Sequence, residues 1–242
     1  CGVGTDRDAD SAGAGLLEHN RAYLAWLDRV FETYPDLIIE NCSSGGMRME
    51  YSMLSRQSIQ SVTDQTDYIK MAAIAANCAT ACAPEQAAIW SYPLIRGTEE
   101  EAVFNMVNAM LLRVHQSGYL GQIGDSRMRH VTDGIRLYKE IREDIKEGLP
   151  FWPTGHASFS DEYLSYGMQC GDRCYLAVWR TKGEGEKEFC IPLQKNGCQV
   201  KDVRCMYPVD MKTDYKYEAD TECLHIKLEP KTARVFAFSR MG

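Results

Sequence analysis

Long apolar runs are missing from this sequence. No stretch approaches the roughly 18–20 consecutive apolar residues of a membrane span, and the first residues lack the make-up of a signal peptide, so no membrane partner is expected. Excess positive charge is missing as well. Against 34 Asp and Glu there are 27 Lys and Arg, a net charge of −7, which argues against a nucleic-acid partner, whose phosphates need clustered cations. Zinc-type spacing is absent: neither Cys78/Cys82 nor Cys170/Cys174 is a CxxC pair, and none of the 5 histidines completes a ligand set, so no metal is expected. There is no internal repeat and no low-complexity linker. An initiating methionine is also lacking, and the start at Cys1 predicts a processed or truncated product.

What is present is an ordinary globular composition, 45% hydrophobic and 25% charged over 242 residues, enough for one large domain or one and a half smaller ones. A chain of this size and apolar content has no need of a disulfide framework. Its 10 cysteines are therefore expected to be reduced, mostly buried thiols of a cytoplasmic protein, with a disulfide or metal pair among the C-terminal cysteines as the alternative.

Two periodicities divide the chain. Over residues 10–150 helices alternate with short apolar strands. Leu16, Tyr23, Leu24, Leu27, Val30 and Phe31 form a helical stripe that Pro35 closes, and Leu37, Ile38 and Ile39 read as a strand buried on both faces. A short helix at 47–54, a strand ending at Asp64, a helix at 67–77 and an apolar segment at 87–92 follow. Amphipathic helices are predicted at 99–116, with Val103, Met106, Val107, Met110, Leu111 and Val114 on one side, and at 127–147. Gly148 and Pro150 end the last of these. After Pro153, β-rich runs at 174–180, 187–193, 200–207, 223–228 and 234–239 alternate with turn signals such as Asn196-Gly197, which predicts an antiparallel sandwich. Repeated βα units predict a parallel sheet with crossover helices, in too few copies for a closed eight-stranded barrel.

The segment Glu40-Asn41-Cys42-Ser43-Ser44-Gly45-Gly46-Met47-Arg48 runs from a strand into a small-residue loop where a polar ligand can approach the backbone. A second strand end, Ser61-Val62-Thr63-Asp64-Gln65-Thr66-Asp67, carries two carboxylates. Read from the residues alone, Asp64 is equally a helix N-cap, Asp67 an acidic residue favoured by a helix dipole, and Cys42 a core thiol with no nearby histidine to make it a nucleophile.

Together the two segments resemble the active-site signature of family 36 glycoside hydrolases, the bacterial α-galactosidase and melibiase group. That family reads approximately Glu-Asn-Cys-Ser-Gly-Gly-Gly-Gly-Arg and Trp-Thr-Ser-Asp-x-Thr-Asp at these places. The resemblance implies an α/β plus all-β fold: the second half of a (β/α)8 TIM barrel over residues 1–152, then an antiparallel β-sandwich domain over 153–242. It implies a retaining α-galactosidase acting on terminal α-galactosides in small oligosaccharides such as melibiose and raffinose, with Asp64 as acid/base. Cys42, Ser44, Gly45, Arg48 and Asp67 are carried over as substrate contacts, and no cofactor is implied. Many relatives are homo-oligomers, so the parent protein is open to the same assembly.

Three departures stand against the pattern. Gln60-Ser61-Val62 replaces the tryptophan segment before the acid/base, and Ser44 and Met47 replace motif glycines. The family's Lys-Trp-Asp nucleophile motif is absent and by resemblance falls a few residues before Cys1. Asp6, Asp8 and Asp10 read instead as a helix-opening loop. Without its nucleophile the isolated chain is expected to be inactive. The alternatives are a carbohydrate-binding or structural module using Trp179, Tyr175, Tyr207 and Tyr215, or the same fold serving galactosyl transfer or N-acetylgalactosamine cleavage.

Overall fold

The computed structural model describes residues 11–193 and 199–241. The Asp6, Asp8 and Asp10 stretch and the Asn196-Gly197 turn lie outside the described residues. The first part is a βα alternation: α1 (Ala14–Thr33), β1 (Glu40–Asn41), α2 (Tyr51–Leu54), β2 (Ile59–Ser61), α3 (Tyr68–Cys78), β3 (Ala87–Ser91), α4 (Glu99–Met110), β4 (Arg113–Gln116) and α5 (Asp125–Glu147). The four strands pair in parallel in chain order, β1-β2-β3-β4. The second part is antiparallel. Strands β5 (Leu149–Phe151), β6 (Tyr163–Cys170), β7 (Arg173–Arg180), β9 (Gln199–Tyr207) and β12 (Thr232–Met241) form one sheet in the order β5-β6-β7-β12-β9. Strands β8 (Lys187–Pro192), β10 (Asp214–Glu218) and β11 (Cys223–Leu228) form another in the order β10-β11-β8. Strand β5, which precedes the expected division at 152–153, pairs with β6.

The five-stranded sheet is covered on both faces, and the period of two decides which residue goes where. Cys174, Leu176 and Val178 of β7, with Phe236 and Phe238 of β12, meet Ile191, Leu224, Ile226 and Leu228 of the smaller sheet. The alternate residues Tyr175, Ala177, Trp179, Val235 and Ala237 pack against the helices. Helix α4 sits between the parallel sheet and β12 and is buried along nearly its whole length, its buried polar residues Glu101, Asn105 and Asn108 engaged in hydrogen bonds. Hydrogen bonds lock the layers. Arg234 on β12 holds Glu100 bidentately at 2.8 and 2.7 Å, Tyr207 donates to the carbonyl of His130 at 2.9 Å, and Trp152 Nε1 donates to the carbonyl of Ala76 at 2.6 Å.

The parallel sheet is strongly curled. Glu40 pairs with Ile59, Gln60 with Ala87 and Ala88 with Arg113, a register that puts Glu40 level with Leu111, four residues before His115 and three strands away. In a flat sheet those two Cα atoms would be roughly 19 Å apart, beyond the reach of both side chains. Yet Glu40 Oε1 lies 3.8 Å from His115 Nδ1. Only a sheet bent into a trough brings them together.

Four expectations are corrected. Residues 37–40 are not a strand buried on both faces: pairing begins at Glu40, and Leu37 and Ile38 are exposed because β1 is the sheet's edge and no described element covers it. Likewise only Leu27 of the α1 stripe is buried. The helix expected over 99–116 stops at Met110, and Arg113–Gln116 is β4. The helical stripe continues by coincidence into Val114, which a strand turns toward the same core. The runs at 163–170 and 214–218 are strands that were not anticipated, because Ser165, Gly167 and the charges of Asp214–Glu218 dilute the β pattern.

The fourth correction concerns the thiols. Cys78 and Cys82 are buried free thiols and Cys174 is buried, but Cys190 and Cys223 form a disulfide between β8 and β11. It faces outward, opposite Ile191 and Leu224. Closing a 33-residue separation, it should contribute at most about 3–4 kcal/mol through the unfolded state. Urea unfolding of the Cys190→Ser/Cys223→Ser double variant should show that loss, and a dithiol reductant should then have no further effect.

Candidate active site

Strand β1 delivers Asn41 into the interior, 2% exposed, where its Nδ2 donates to Gln60 Oε1 on β2 and to the carbonyl of Arg48 at 2.9 Å. One buried amide thus fixes both ends of the intervening loop. Within it Ser43 and Gly46 face each other in a single bridge, and the chain turns through two left-handed residues, Ser44 at φ 49° and Gly45 at φ 80°. Glycine at 45 is required twice over. Its conformation is one that side chains disfavour, and a Cβ there would lie 2.6 Å from Thr63 Cα and 3.1 Å from Asp64 N. At Gly46 a Cβ would lie 3.2 Å from the carbonyl of Val62.

The glycine loop and the carboxylate segment, apart in the sequence, therefore lie backbone against backbone. Asp64 sits in the extended stretch after β2; it is exposed, and no hydrogen bond or ion pair engages its carboxylate among the described residues. Asp67 is placed differently. It is the N-cap of α3, its Oδ1 accepting from the amides of Ile69 at 3.0 Å and Lys70 at 3.3 Å. That is a structural role for the residue carried over as a substrate contact. Cys42, Ser44 and Arg48 are exposed on the loop, and Arg48 contributes its carbonyl, through Asn41, to holding it.

Replacing Gly45 by alanine should push residues 62–64 away, lowering stability by about 1–3 kcal/mol. Gly13→Ala is the matched control, since Gly13 has φ 86° but nothing within 4 Å of its Cβ position. Thermal unfolding of the two variants should separate the clash from the backbone strain.

The alternation of β2 to β4 assigns the two faces of the sheet. Val62, Ala87 and Ile89 pack on the helices, so Ser61, Thr63, Ala88, Trp90, Arg113 and His115 belong to the concave face. There Trp90 and His115, register partners, have ring centroids 5.1 Å apart with 73° between their planes. Burial pushes the His115 imidazole below its usual value, Glu40 pulling the other way and Arg113 adding to the fall. Neither Trp90 nor His115 was singled out from the sequence; the βα repeat put them at strand ends, which was the available signal.

The loop after β3, residues 92–98, walls the same end of the sheet. It is held by the buried pair Arg127–Glu101. Arg127 donates to the carbonyls of Leu94 at 2.7 Å, Ile95 at 3.2 Å and Thr98 at 3.2 Å, while Glu101 Oε1 accepts from the amide of Leu94 at 3.0 Å. The aromatic residues considered as sugar platforms in the second half are mostly core: Trp179, Tyr175 and Tyr207 are buried, and Tyr215 packs on Phe236. No group of residues suited to a metal ion occurs among the described residues.

No family model matches the chain. Over 154 residues it is 25% identical to the bifunctional α-galactosidase/sucrose kinase AgaSK of Mediterraneibacter gnavus, a match covering 58% of this chain and 15% of that protein. Among solved structures, the galactosidase domain of AgaSK superposes with a TM-score of 0.69 at 20% identity, over 90% of this chain and 31% of the other. The family 36 α-galactosidase AgaA of Geobacillus stearothermophilus, in complex with stachyose, superposes with a TM-score of 0.74 at 13% identity, over 97% of this chain and 33% of the other. At these identities the structures speak for the fold, and the chain spans about a third of their length. Sequence motif and three-dimensional likeness point the same way: this chain has the fold that family 36 α-galactosidases use over part of their length.

Proposed function

We propose that the chain is the acid/base-bearing part of a retaining α-galactosidase, completed by β/α units outside these 242 residues. The observation that carries this reading is the packing of Gly45 on Thr63 and Asp64, which joins the two motifs beside a carboxylate left without partners. The trough-shaped parallel sheet supports a half barrel: an offset of four residues over three strands approaches the roughly one residue per strand of a closed eight-stranded barrel. Leu37 and Ile38 beside the unpaired edge of β1 are where a preceding strand and its helix would dock. The two antiparallel sheets form the sandwich that follows.

In this reading Asp64 protonates the glycosidic oxygen as the galactosyl bond breaks, then takes a proton from the water that releases the sugar. The nucleophile comes from the missing half, about 5–5.5 Å away in retaining enzymes. Cys42 and Ser44 line the sugar, and Gly45 lets the loop approach it. Because Asp67 caps α3, its contribution is to fix where α3 begins relative to Asp64. Terminal α-galactosides of small oligosaccharides are the substrate class, consistent with the stachyose held by the AgaA neighbour. Serine at 44, where the motif has glycine, is the position at which galactosyl transfer or cleavage of an N-acetylated sugar would be decided.

The test is turnover of an aryl α-galactoside by the complete protein and by this chain alone. Activity is expected in the first and none in the second. A complete protein inert on all α-galactosides would leave only the fold.

A further inference from the structure

We infer that Glu40, Trp90 and His115 form the floor on which the sugar of the proposed site lies, an inference that rests on the α-galactosidase reading. The three come from β1, β3 and β4, and only the curl of the sheet brings them together. Glu40 Oε1 stands 3.8 Å from His115 Nδ1, beyond hydrogen-bond distance, and no hydrogen bond engages the Glu40 carboxylate or either His115 ring nitrogen among the described residues. Trp90 is half-buried. In the next row, Ser61 faces the same side with a buried hydroxyl that has no partner. A concave surface thus carries a carboxylate, an imidazole, an indole and a hydroxyl with unspent bonding capacity, at the end of the sheet where the Gly45–Asp64 contact lies.

A pyranose matches these groups. Its C–H face needs a flat polarisable surface, which the Trp90 indole supplies, and its rim of hydroxyls needs both donors and acceptors. The Glu40 carboxylate accepts only. A neutral imidazole, the form that burial favours at His115, donates at one nitrogen and accepts at the other. Glu40 also precedes Asn41, the anchor of the glycine loop, so a sugar held by Glu40 is registered against that loop. The competing account is a core layer: the three side chains would pack beneath residues brought by the other half of the barrel and never meet a ligand.

The experiment is a titration of the complete labelled protein, in which the site is whole, with methyl α-D-galactopyranoside, followed by proton–nitrogen and aromatic proton–carbon spectra. The Trp90 indole and His115 ring signals are assigned through Trp90→Phe and His115→Gln. Both signals should shift saturably together with the Gly45 and Gly46 amides, and Glu40→Gln should weaken binding about tenfold, the effect of losing one charge-assisted hydrogen bond. Shifts at Gly45 and Gly46 with Trp90 and His115 unmoved would overturn the floor and keep the site. No shift at any of the four would remove both. The wild-type map alone separates these results, so none depends on a variant folding.

Discussion

On the proposed reading, alanine in place of Asp64 should lower turnover of an unactivated α-galactoside by the complete protein about 10²–10⁴-fold, the usual contribution of a positioned acid/base. The loss should be much smaller on an aryl galactoside with a good leaving group, because that bond breaks without a proton donor. The second step would then accumulate the glycosyl-enzyme, since no base activates water. Azide, which needs no base, should restore turnover and release α-galactosyl azide. The anomeric configuration matters: a β-azide would mark Asp64 as the nucleophile, and unchanged kinetics would move the acid/base role elsewhere, with Asp67 the first candidate. Because Asp64 is exposed and engages no partner, the change should leave stability within about 0.5 kcal/mol. A kinetic collapse with an unmoved melting curve is therefore the expected signature.

Arg127→Ala should have the opposite signature, a loss of about 3–5 kcal/mol in stability. The arginine is nearly sealed, with 7% of its side chain exposed against 4% for Glu101. Its removal strands a buried carboxylate and frees the carbonyls of Leu94, Ile95 and Thr98. Burial already pushes Glu101 above the usual carboxylate range, while the Leu94 amide and Arg127 pull it down. A carboxyl raised on folding favours the folded state at low pH, where it is protonated, and this contribution is lost as pH rises through its folded value. Without Arg127 the rise is larger. The deficit of Arg127→Ala relative to wild type should therefore be greatest near pH 8 and shrink toward about pH 5, measured by urea unfolding across that range. A deficit independent of pH would show that the lost carbonyl bonds, rather than the stranded charge, dominate.

The parts of the fold legible in the sequence were those whose neighbours are close in the chain. The βα alternation, α5 with its Gly148 stop and the strands around Trp179 and Phe236 follow from local period and punctuation. What escaped depended on distant partners. Arg113–Gln116 becomes a strand because β3 lies alongside it, although its own residues continue the helical stripe of α4. Leu37–Ile39 carry a strand's composition without a strand's neighbours. The disulfide follows from the pairing of β8 with β11, a register that cysteine spacing does not encode. At the candidate site, Asp64 and the glycine loop were proposed from a motif. Glu40, Trp90 and His115 needed the curl of the sheet, which is a property of three strands at once.

Helix α1 buries a single side chain, Leu27, while α4 is buried along almost its whole length. Amide hydrogen exchange should accordingly grade along the chain, fastest through α1 and β1 and slowest in α4, β7 and β12. In the order of synthesis, α1 and β1 come before α4, β7 and β12. Within the described residues, the unit least able to hold itself is thus made before the helices and antiparallel sheets that carry most of the burial.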